Sequence, residues 1–553
     1  MKTEELPLLQ KLIDKNKKEL PNPQSVQFED LPKILNNHYA DSAHFVYELI
    51  QNADDAEASS IEFILHKSYL IFIHNGKKKF TITDPDLGTN HPGGIGDINA
   101  LLWVAKTTKE GKENQAGKFG MGFGAVYKYV DDAYIKEKPF FIKLYKAISI
   151  DNVSELPPGI SIDNDIENID DKTVFIFPFK KELEDTAYSD IETKLSSLNN
   201  PNLFLNNVTK IDIRLAEKKT EFRYEISTIK RKEEVFKGRP FLLELLKYYK
   251  IDKTEYLWKV STSFSGNLSK SSIVFKTNEN GSRIYPTEPI LYSYFCLDKA
   301  INTKFSLNAP FKLTSARNTL SLSNKDDEIE NQNILNNLST FSAESICLLA
   351  KNNAFREEVI DVYPDILFSY QKKIDGLIHP DFRQSFKQIF SEETVIPTTD
   401  NKYAKANDVY YIKEKALKDL FPTEILHKLN YVKQLAFPYA TEDQSKKLNT
   451  VINDFGVEIL SFQKITEQIT PDFLNHIEKE WLEKFYNYLI ENSNLTTLKN
   501  KKIFRTNDGQ WTSYKDDNDQ YNFYRYKENV CYPTLDKSFY SPELFEYLEK
   551  NYL

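Results

Sequence analysis

The stretch from His44 to Ala56, HFVYELIQNADDA, constrains the fold more than any other part of the sequence. At 3.6 residues per turn, Glu48, Asn52 and Asp55 share one face of a helix. An adjacent apolar stripe can dock this helix on a β-sheet. A carboxylate, an amide and a second carboxylate on one face can serve as general base, metal ligand and orienting group. The alternative is an ordinary solvated helix face.

A second stretch, Gly117 to Tyr127, has the sequence GKFGMGFGAVY, in which glycines alternate with Phe119, Met121 and Phe123. Glycine allows a phosphate to approach the backbone closely, and free N–H groups at a helix start bind anions. Alone, such a run is often only a tight turn. Together with the Glu48 helix about 70 residues earlier, it indicates a phosphate-binding loop.

Together, ELIQNADDA and GKFGMGFGAVY resemble the motifs of the GHKL ATPases, the superfamily of gyrase, heat-shock 90 chaperones, histidine kinases and MutL. They are most similar to the sacsin-type chaperone-like members. The resemblance implies an α+β protein with three parts. These are a GHKL (Bergerat) α/β sandwich with a lid over residues 1–190, an α/β middle domain over 191–355, and a mostly helical C-terminal region with β-hairpins over 356–553.

The same resemblance assigns roles to individual residues. Glu48 is expected to activate the attacking water as the catalytic base, and Asn52 to bind Mg²⁺. The glycine loop is expected to hold the phosphates of ATP. The other cofactor-binding residues implied by the resemblance are Asp55, Gly76, Lys109, Gly117, Phe119, Gly120, Met121, Gly122 and Phe123.

The base-binding end of the site departs from the superfamily pattern. Strands are predicted at Ser60–Leu65 and Tyr69–His74, and the second ends in His74-Asn75-Gly76. In the superfamily an Asp-x-Gly stands here, and its Asp accepts the amino group of adenine. Either an imidazole nitrogen of His74 or the Asn75 side chain could accept that bond instead; otherwise His74 is a buried structural histidine.

Thr173, at the start of a predicted strand (Thr173–Phe179), resembles the family threonine that reaches adenine through water. The alternative is a threonine that suits a strand because it is β-branched. Phe80 to Lys109 corresponds to the lid and contains a predicted helix, Asp97–Ala105. Lys109 is expected to contact phosphate, with a solvated lysine as the alternative.

The middle region is predicted to contain strands at 208–215, 221–226, 257–264 and 272–276, with a helix between the second and the third. Arg317 lies in KFSLNAPFKLTSARNTL, which resembles the Ser-x-Arg segment of sacsin-type proteins. It is a candidate catalytic arginine that neutralises charge on the γ-phosphate. The alternative is a loop arginine paired with a carboxylate. A helix is predicted over 333–350.

The tail contains two similar passages, 395–411 and 502–514, each predicted to form a hairpin with a Thr-Asp/Asn turn. Its many Tyr and Phe side chains are expected in a core or an interface. No catalytic constellation is evident there.

The net charge of −9 combines 72 basic and 81 acidic residues, and this mixed charge does not indicate a nucleic-acid surface. No apolar run reaches the length of a membrane span. Three widely spaced cysteines and a charged N-terminus are typical of a cytoplasmic protein.

These features predict a Mg²⁺-dependent ATP-hydrolysing conformational switch, with ATP and Mg²⁺ as its ligands. It would act on a protein client or partner subunit, with a homodimer through the ATPase or C-terminal region as one arrangement. By analogy, such proteins serve bacterial defence (antiviral defence) or stress responses. The alternative function is a nucleotide-gated interaction scaffold with little hydrolysis.

Overall fold

The computed structural model describes residues 3–19, 43–87, 95–102, 124–146, 149–161, 169–263, 270–301, 303–314, 319–364, 373–374, 376–378, 380–492, 498, 500–516, 518, 520–525 and 532–552. The chain divides into two compact units. The first comprises Met1–Ser345 and Val362–Phe382, and the second comprises Ile346–Asp361 and Arg383–Leu553. Each unit has its own hydrophobic core.

The described part of the first unit contains one large mixed sheet of 15 strands. Its strands are β1 Ser60–Leu65, β2 Tyr69–His74, β3 Asp132–Glu137, β4 Phe140–Tyr145, β5 Ser149–Asn152, β6 Thr173–Pro178, β7 Lys210–Leu215, β8 Thr220–Phe236, β9 Arg239–Lys250, β10 Lys253–Ser263, β11 Lys270–Thr277, β12 Ile284–Tyr285, β13 Ile290–Ser293, β14 Phe295–Ala300 and β15 Ser306–Asn308. Their order across the sheet is β14-β13-β15-β11-β10-β9-β8-β7-β1-β2-β6-β3-β4-β5, with β12 paired to β11.

Among the described residues, five α-helices lie wholly or largely in this unit. They are α1 Leu6–Glu19, α2 Phe45–Asp55, α3 Asp97–Leu101, α4 Glu184–Ser196 and α5 Lys325–Lys351. The apolar stripe predicted for the motif helix is confirmed, because Phe45, Leu49 and Ala53 of α2 are all buried in the main core of the unit. This docking determines which side chains of α2 are available for contact with a ligand.

Strand β2 lies between β1 and β6 and is buried along its whole length. Alternate side chains enter two different cores, with Phe72 in the main core beneath α2 and Ile73 in a smaller cluster on the other face. A strand buried on both faces is a continuous apolar run rather than an alternating one, as YLIFIH is.

The helix predicted between the second and third middle strands is wrong. The chain instead forms a long antiparallel hairpin of β8 and β9. Leucine, glutamate and lysine in FLLELLKYYK favour a helix, but Phe241, Leu243 and Leu245 are buried at every second position. This period of two matches a strand, and pairing with β8 and β10 outweighs the local preference.

The second unit is rich in helices, as predicted for the tail. The remaining described helices and strands are α6 Val359–Val362, α7 Phe382–Glu392, α8 Lys415–Leu420, α9 Thr423–Lys428, α10 Glu442–Phe455, α11 Phe462–Glu467, α12 Pro471–His476, α13 Lys479–Glu491 and α14 Pro542–Tyr552, with short strands β16 Lys373–Ile374, β17 Leu377–Ile378, β18 Ile396–Pro397, β19 Tyr403–Ala404, β20 Val409–Tyr411, β21 Gln434–Leu435, β22 Glu458–Ile459, β23 Phe504–Arg505 and β24 Trp511–Thr512, of which β16 and β17 belong to the first unit.

Both predicted hairpins of the tail are present, as β18–β19 and β23–β24. They share one turn chemistry. Thr398 donates its hydroxyl hydrogen bond to Asp400 at 2.5 Å, and Thr506 donates to Asp508 at 2.6 Å. In each turn the threonine N–H also bonds a carbonyl four residues later. The aromatic side chains of this unit contribute to its core, where Trp481 stacks on Phe485.

Helices and strands are thus both abundant, and the α+β class is confirmed. Among the described helices, none is long and apolar enough to cross a membrane.

Candidate functional site

A pocket of about 710 Å³, open mouth included, lies between α2 and the sheet. Apolar side chains form much of its wall, and polar groups come from α2, β2, α3, β3 and the segment after β2. It is lined by Leu49, Asn52, Ala53, Asp55, Ala56, Phe72, His74, Lys78, Lys79, Phe80, Asp97, Leu101, Glu137 and Phe175.

The structure brings the predicted α2 residues to this region. Asn52 is half-buried and Asp55 is exposed, and both line the pocket. Glu48 lies one turn before Asn52 and is only 4% exposed. It is not part of the pocket wall formed by the described residues. The residues predicted to share a helix face therefore lie in a row that runs from the core to solvent.

The neighbouring Asp54, which the sequence analysis did not single out, is a structural anchor. Its carboxylate accepts three backbone N–H hydrogen bonds, from Asn206 at 3.0 Å, Asn207 at 2.7 Å and Val208 at 2.9 Å. The Asn207 side chain also donates to the Asp54 carbonyl at 2.9 Å. The end of α2 is thereby fastened to the loop before β7.

His74 lies in the pocket wall and is 5% exposed. The Gly76 backbone N–H donates to its Nδ1 at 3.1 Å. Since a backbone N–H can only donate, Nδ1 carries the lone pair and Nε2 carries the proton. Burial, with a smaller effect from the positive charge of Lys79, lowers the pKa of His74 to about 3. The imidazole is therefore neutral at physiological pH, with an Nε2–H donor.

Asn75 faces β1 instead. Its side-chain oxygen accepts the N–H groups of Ser59 and Ser60, both at 2.9 Å, and its amide donates to the Ser59 hydroxyl. Asn75 is not among the described residues that line the pocket. Its predicted contact with a base stays a prediction, and its visible contacts hold the start of β1 against the end of β2.

Gly76 has no room for a side chain. A Cβ atom there would lie 2.9 Å from Nδ1 of His74 and 3.0 Å from both the Cβ and the carbonyl oxygen of Ala56. We expect Gly76→Ala to destabilise the first unit by about 2 kcal/mol, because overpacking a tight site forces its neighbours apart. Thermal unfolding measures this; a loss below about 0.5 kcal/mol would show that the segment after β2 yields easily.

Thr173 is fully buried at the start of β6, directly opposite His74 in the antiparallel register of β2 and β6. Its hydroxyl donates to Oε2 of Glu137 at 2.6 Å. The other carboxylate oxygen of Glu137 accepts the Phe80 N–H at 3.0 Å. His74, Thr173 and Glu137 thus form a row across three adjacent strands, and the sequence analysis missed its third member.

Two lysines after Gly76, within the run Lys77-Lys78-Lys79, also line the pocket. The Lys78 ammonium donates to the Asp55 carbonyl at 3.3 Å, and the Lys79 ammonium donates to the Asp171 carbonyl at 3.0 Å. They place positive charge beside the pocket. The unbroken basic run was the available signal in the sequence.

Side chains join the two described parts of the predicted lid segment, residues 80–87 and 95–102. The Asp97 carboxylate accepts both the N–H and the hydroxyl of Thr81, at 2.9 and 2.7 Å. The Asn99 side chain bonds both backbone groups of Thr83. The predicted helix begins at Asp97 as expected and is described as far as Leu101. These bonds hold the base of the segment at the pocket.

The other predicted site residues lie outside the described ranges. Thr314 and Thr319, which flank the Arg317 segment, bond each other through backbone and hydroxyl groups. Across the described residues there is no group of three or more His, Cys, Asp and Glu that could hold a metal. The undescribed site residues are Lys109, Gly117, Phe119, Gly120, Met121, Gly122, Phe123 and Arg317.

Comparison with known proteins gives one family-model match and two curated relatives. The family model of the Sacsin domain matches residues 27–138. Protein NO VEIN of Arabidopsis thaliana is 27% identical over 187 residues, which are 30% of this chain and 6% of that protein. Sacsin of Homo sapiens is 33% identical over 105 residues, 18% of this chain and 2% of sacsin.

The chain therefore spans only a small part of these two curated relatives. The family-model match contains α2, β2, the segment after β2, α3 and β3, which together supply most of the pocket wall. The predicted similarity to sacsin-type proteins is confirmed for this region.

Proposed function

We propose that this protein is an ATP-binding and ATP-hydrolysing conformational switch of the GHKL type. The observation that carries the proposal is the pocket between α2 and the sheet, where Asn52, His74 and Glu137 meet apolar walls. Ligand pockets typically combine such walls with a few converging polar groups. The Sacsin-domain match over the same residues supports the sacsin-type version.

In this proposal Glu48 is the base that activates the attacking water. Its position one turn before Asn52 on α2 supports this role, since both then face the same end of the bound nucleotide. Asn52 would hold Mg²⁺. That ion commonly keeps several waters and binds through one or two protein oxygens plus substrate phosphates. Such a site needs no cluster of acidic residues.

The residues outside the described ranges complete the proposed site. The glycine loop from Gly117 to Gly122 would hold phosphates together with Lys109, and Arg317 would neutralise charge on the γ-phosphate. The sandwich architecture of the GHKL fold is part of the same proposal, supported by α2 docked on one face of a mixed sheet. The client is proposed to be a protein partner, by analogy with chaperone-like ATPases.

A nucleotide-gated scaffold with little hydrolysis is the second candidate. Two observations favour it: His74 replaces the usual Asp, and the buried Glu48 is not in the pocket wall formed by the described residues. Both candidates bind ATP. They differ in whether the bound ATP is hydrolysed with Glu48 as the catalytic base.

The test compares Mg-ATP binding and steady-state hydrolysis in the wild type and in Glu48→Gln. For a switch that hydrolyses ATP, we expect turnover to fall at least 100-fold, as is typical on loss of a general base. ATP affinity should change less than about threefold, because Gln keeps the shape of the side chain. Glu57→Gln, just beyond the end of α2, is the matched control and should retain turnover.

If the wild type binds ATP and neither protein hydrolyses it, the scaffold candidate replaces the switch. If the wild type does not bind ATP, both candidates fail. A Glu48→Gln variant that turns over like the wild type would assign the base to another residue.

A further inference from the structure

Glu137 is a buried carboxylate, 2% exposed, at the wall of the proposed nucleotide pocket. An acidic side chain is rarely buried so completely without specific partners. Here Thr173 donates to one carboxylate oxygen and the Phe80 N–H donates to the other. Both oxygens of Glu137 therefore act as acceptors. Because both oxygens accept, a ligand group that approaches them has to be a hydrogen-bond donor.

His74, at the other end of the row, offers a ligand a hydrogen-bond donor rather than an acceptor. Its Nδ1 accepts from Gly76, so only its Nε2–H can point to a ligand. Since Nδ1 already accepts the Gly76 N–H, the ring has no second acceptor for an amino group of a ligand. The pocket therefore contains a donor on β2 and an acceptor on β3. Two strand spacings of about 4.8 Å separate their backbones.

The walls around this pair suit a flat ring. Phe72 and Phe175 lie opposite each other on β2 and β6, on the same sheet face as His74, and Leu49 and Ala53 face them from α2. Aromatic and aliphatic surfaces of this kind hold a planar heterocycle by burial of apolar area. A planar ring with a donor next to an acceptor on one edge complements both the walls and the polar pair.

We propose that Glu137 accepts the exocyclic amino group of adenine, while His74 donates to the adjacent ring nitrogen. The proposal rests on the proposed function and adds a specificity-determining residue to it. The acceptor role that the superfamily gives to an Asp at the end of β2 is thereby supplied from β3. Guanine is disfavoured, because its keto oxygen would face the carboxylate.

The first test needs no variant. Binding of Mg-ATP to the wild type is compared with that of Mg-purine riboside triphosphate, which lacks only the 6-amino group, and of Mg-GTP. A hydrogen bond to a charged group corresponds to roughly a 10- to 100-fold difference in affinity. We therefore expect the analogue to bind at least about 10-fold more weakly than ATP, and GTP more weakly still.

The second test assigns that difference to Glu137. In Glu137→Gln an amide N–H₂ replaces one carboxylate oxygen and opposes the amino group of adenine. ATP affinity is expected to fall at least about 10-fold, while the analogue changes less than about threefold, so the two ligands converge. Glu62→Gln, at a partly buried glutamate of β1 beside Arg214, is the matched control and should keep the preference for ATP.

The outcomes separate the two levels of the argument. If no nucleotide binds to the wild type, the proposed function fails. If ATP and the analogue bind equally well, nucleotide binding stands and the role of Glu137 is wrong. If Glu137→Gln weakens both ligands equally, or keeps the full preference for ATP, the carboxylate does not read the amino group. Thermal unfolding of Glu137→Gln confirms that the variant tested is folded.

Discussion

Replacing Asp54 with alanine is expected to lower the free energy of unfolding of the first unit by about 4 kcal/mol. The carboxylate receives three backbone N–H groups, from Asn206, Asn207 and Val208. Hydrogen bonds to a charged group contribute about 1.5–3 kcal/mol each, and buried donors left without partners cost more. The three bonds share one acceptor, so their contributions do not add fully.

The matched comparison is Asp55→Ala, one residue along the same helix. Asp55 is exposed, and surface substitutions usually change stability by less than about 0.5 kcal/mol. Hydrogen exchange in peptides from α2 and β7, followed against urea, measures both variants within the first unit. Equal losses for the two aspartates would contradict the assignment of Asp54 as the anchor.

The second large effect is a loss of stability in acid that depends on His74. Its pKa is about 3 in the folded chain, against an ordinary value of 6.5. Between these values the unfolded chain binds a proton at this residue and the folded chain does not, so protons favour unfolding. The contribution of the neutral His74 to the free energy of unfolding is fully present above pH 6.5. Below this pH the free energy of unfolding decreases by about 1.4 kcal/mol per pH unit. Near pH 3.5 the loss is about 4 kcal/mol.

His74→Asn isolates this contribution. The Asn side-chain oxygen can take the place of Nδ1 and still accept the Gly76 N–H, but it does not titrate. The slope of the unfolding free energy of the first unit against pH, below pH 6.5, reports how many protons are taken up on unfolding. We expect this number to be about one lower in the variant than in the wild type. His427→Asn, at an exposed histidine of the second unit, should leave that slope unchanged. An unaltered slope in His74→Asn would mean that the ring gains its proton without opening the fold.

Periodicity was enough to predict how α2 docks, because Phe45, Leu49 and Ala53 recur at the spacing of one helix face. Periodicity could not show that Asp54 and Asp55 have different roles. Helical geometry places Asp55 with Glu48 and Asn52, but the role of Asp54 depends on a loop about 150 residues later in the chain. No local pattern contains that partner.

The same limit applies to the row at the base of the pocket. The sequence identified His74 and Thr173 through a resemblance, but Glu137 lies in DAYIKE, an ordinary alternating strand. Its position beside Thr173 follows from the pairing of β3 with β6, which are separated in the chain by two other strands. The proton position on His74 likewise depends on a single backbone N–H.

Strand β9 shows the opposite case, where a local signal was misleading. Its leucine, glutamate and lysine residues favour a helix, and pairing with strands on both sides explains why they form a strand. In the tail, by contrast, turn chemistry alone was sufficient, since each Thr-Asp pair forms its own hydrogen bonds within four residues.

The parallel pairing of β1 with β7 limits how the first unit can move. Six consecutive residue pairs, from Ser60–Lys210 to Leu65–Leu215, join the strand after α2 to the strand that follows residue 200. The Asp54 carboxylate reinforces this seam from the helix side. A hinge near residue 190 would have to break both the β1–β7 pairing and the hydrogen bonds of Asp54. We therefore expect α2 and the strands from β7 onward to move together as one rigid body. For the proposed switch, ATP-driven motion would then have to come from segments outside these two connections. A crosslink between β1 and β7 should therefore leave any ATP turnover of the wild type unchanged.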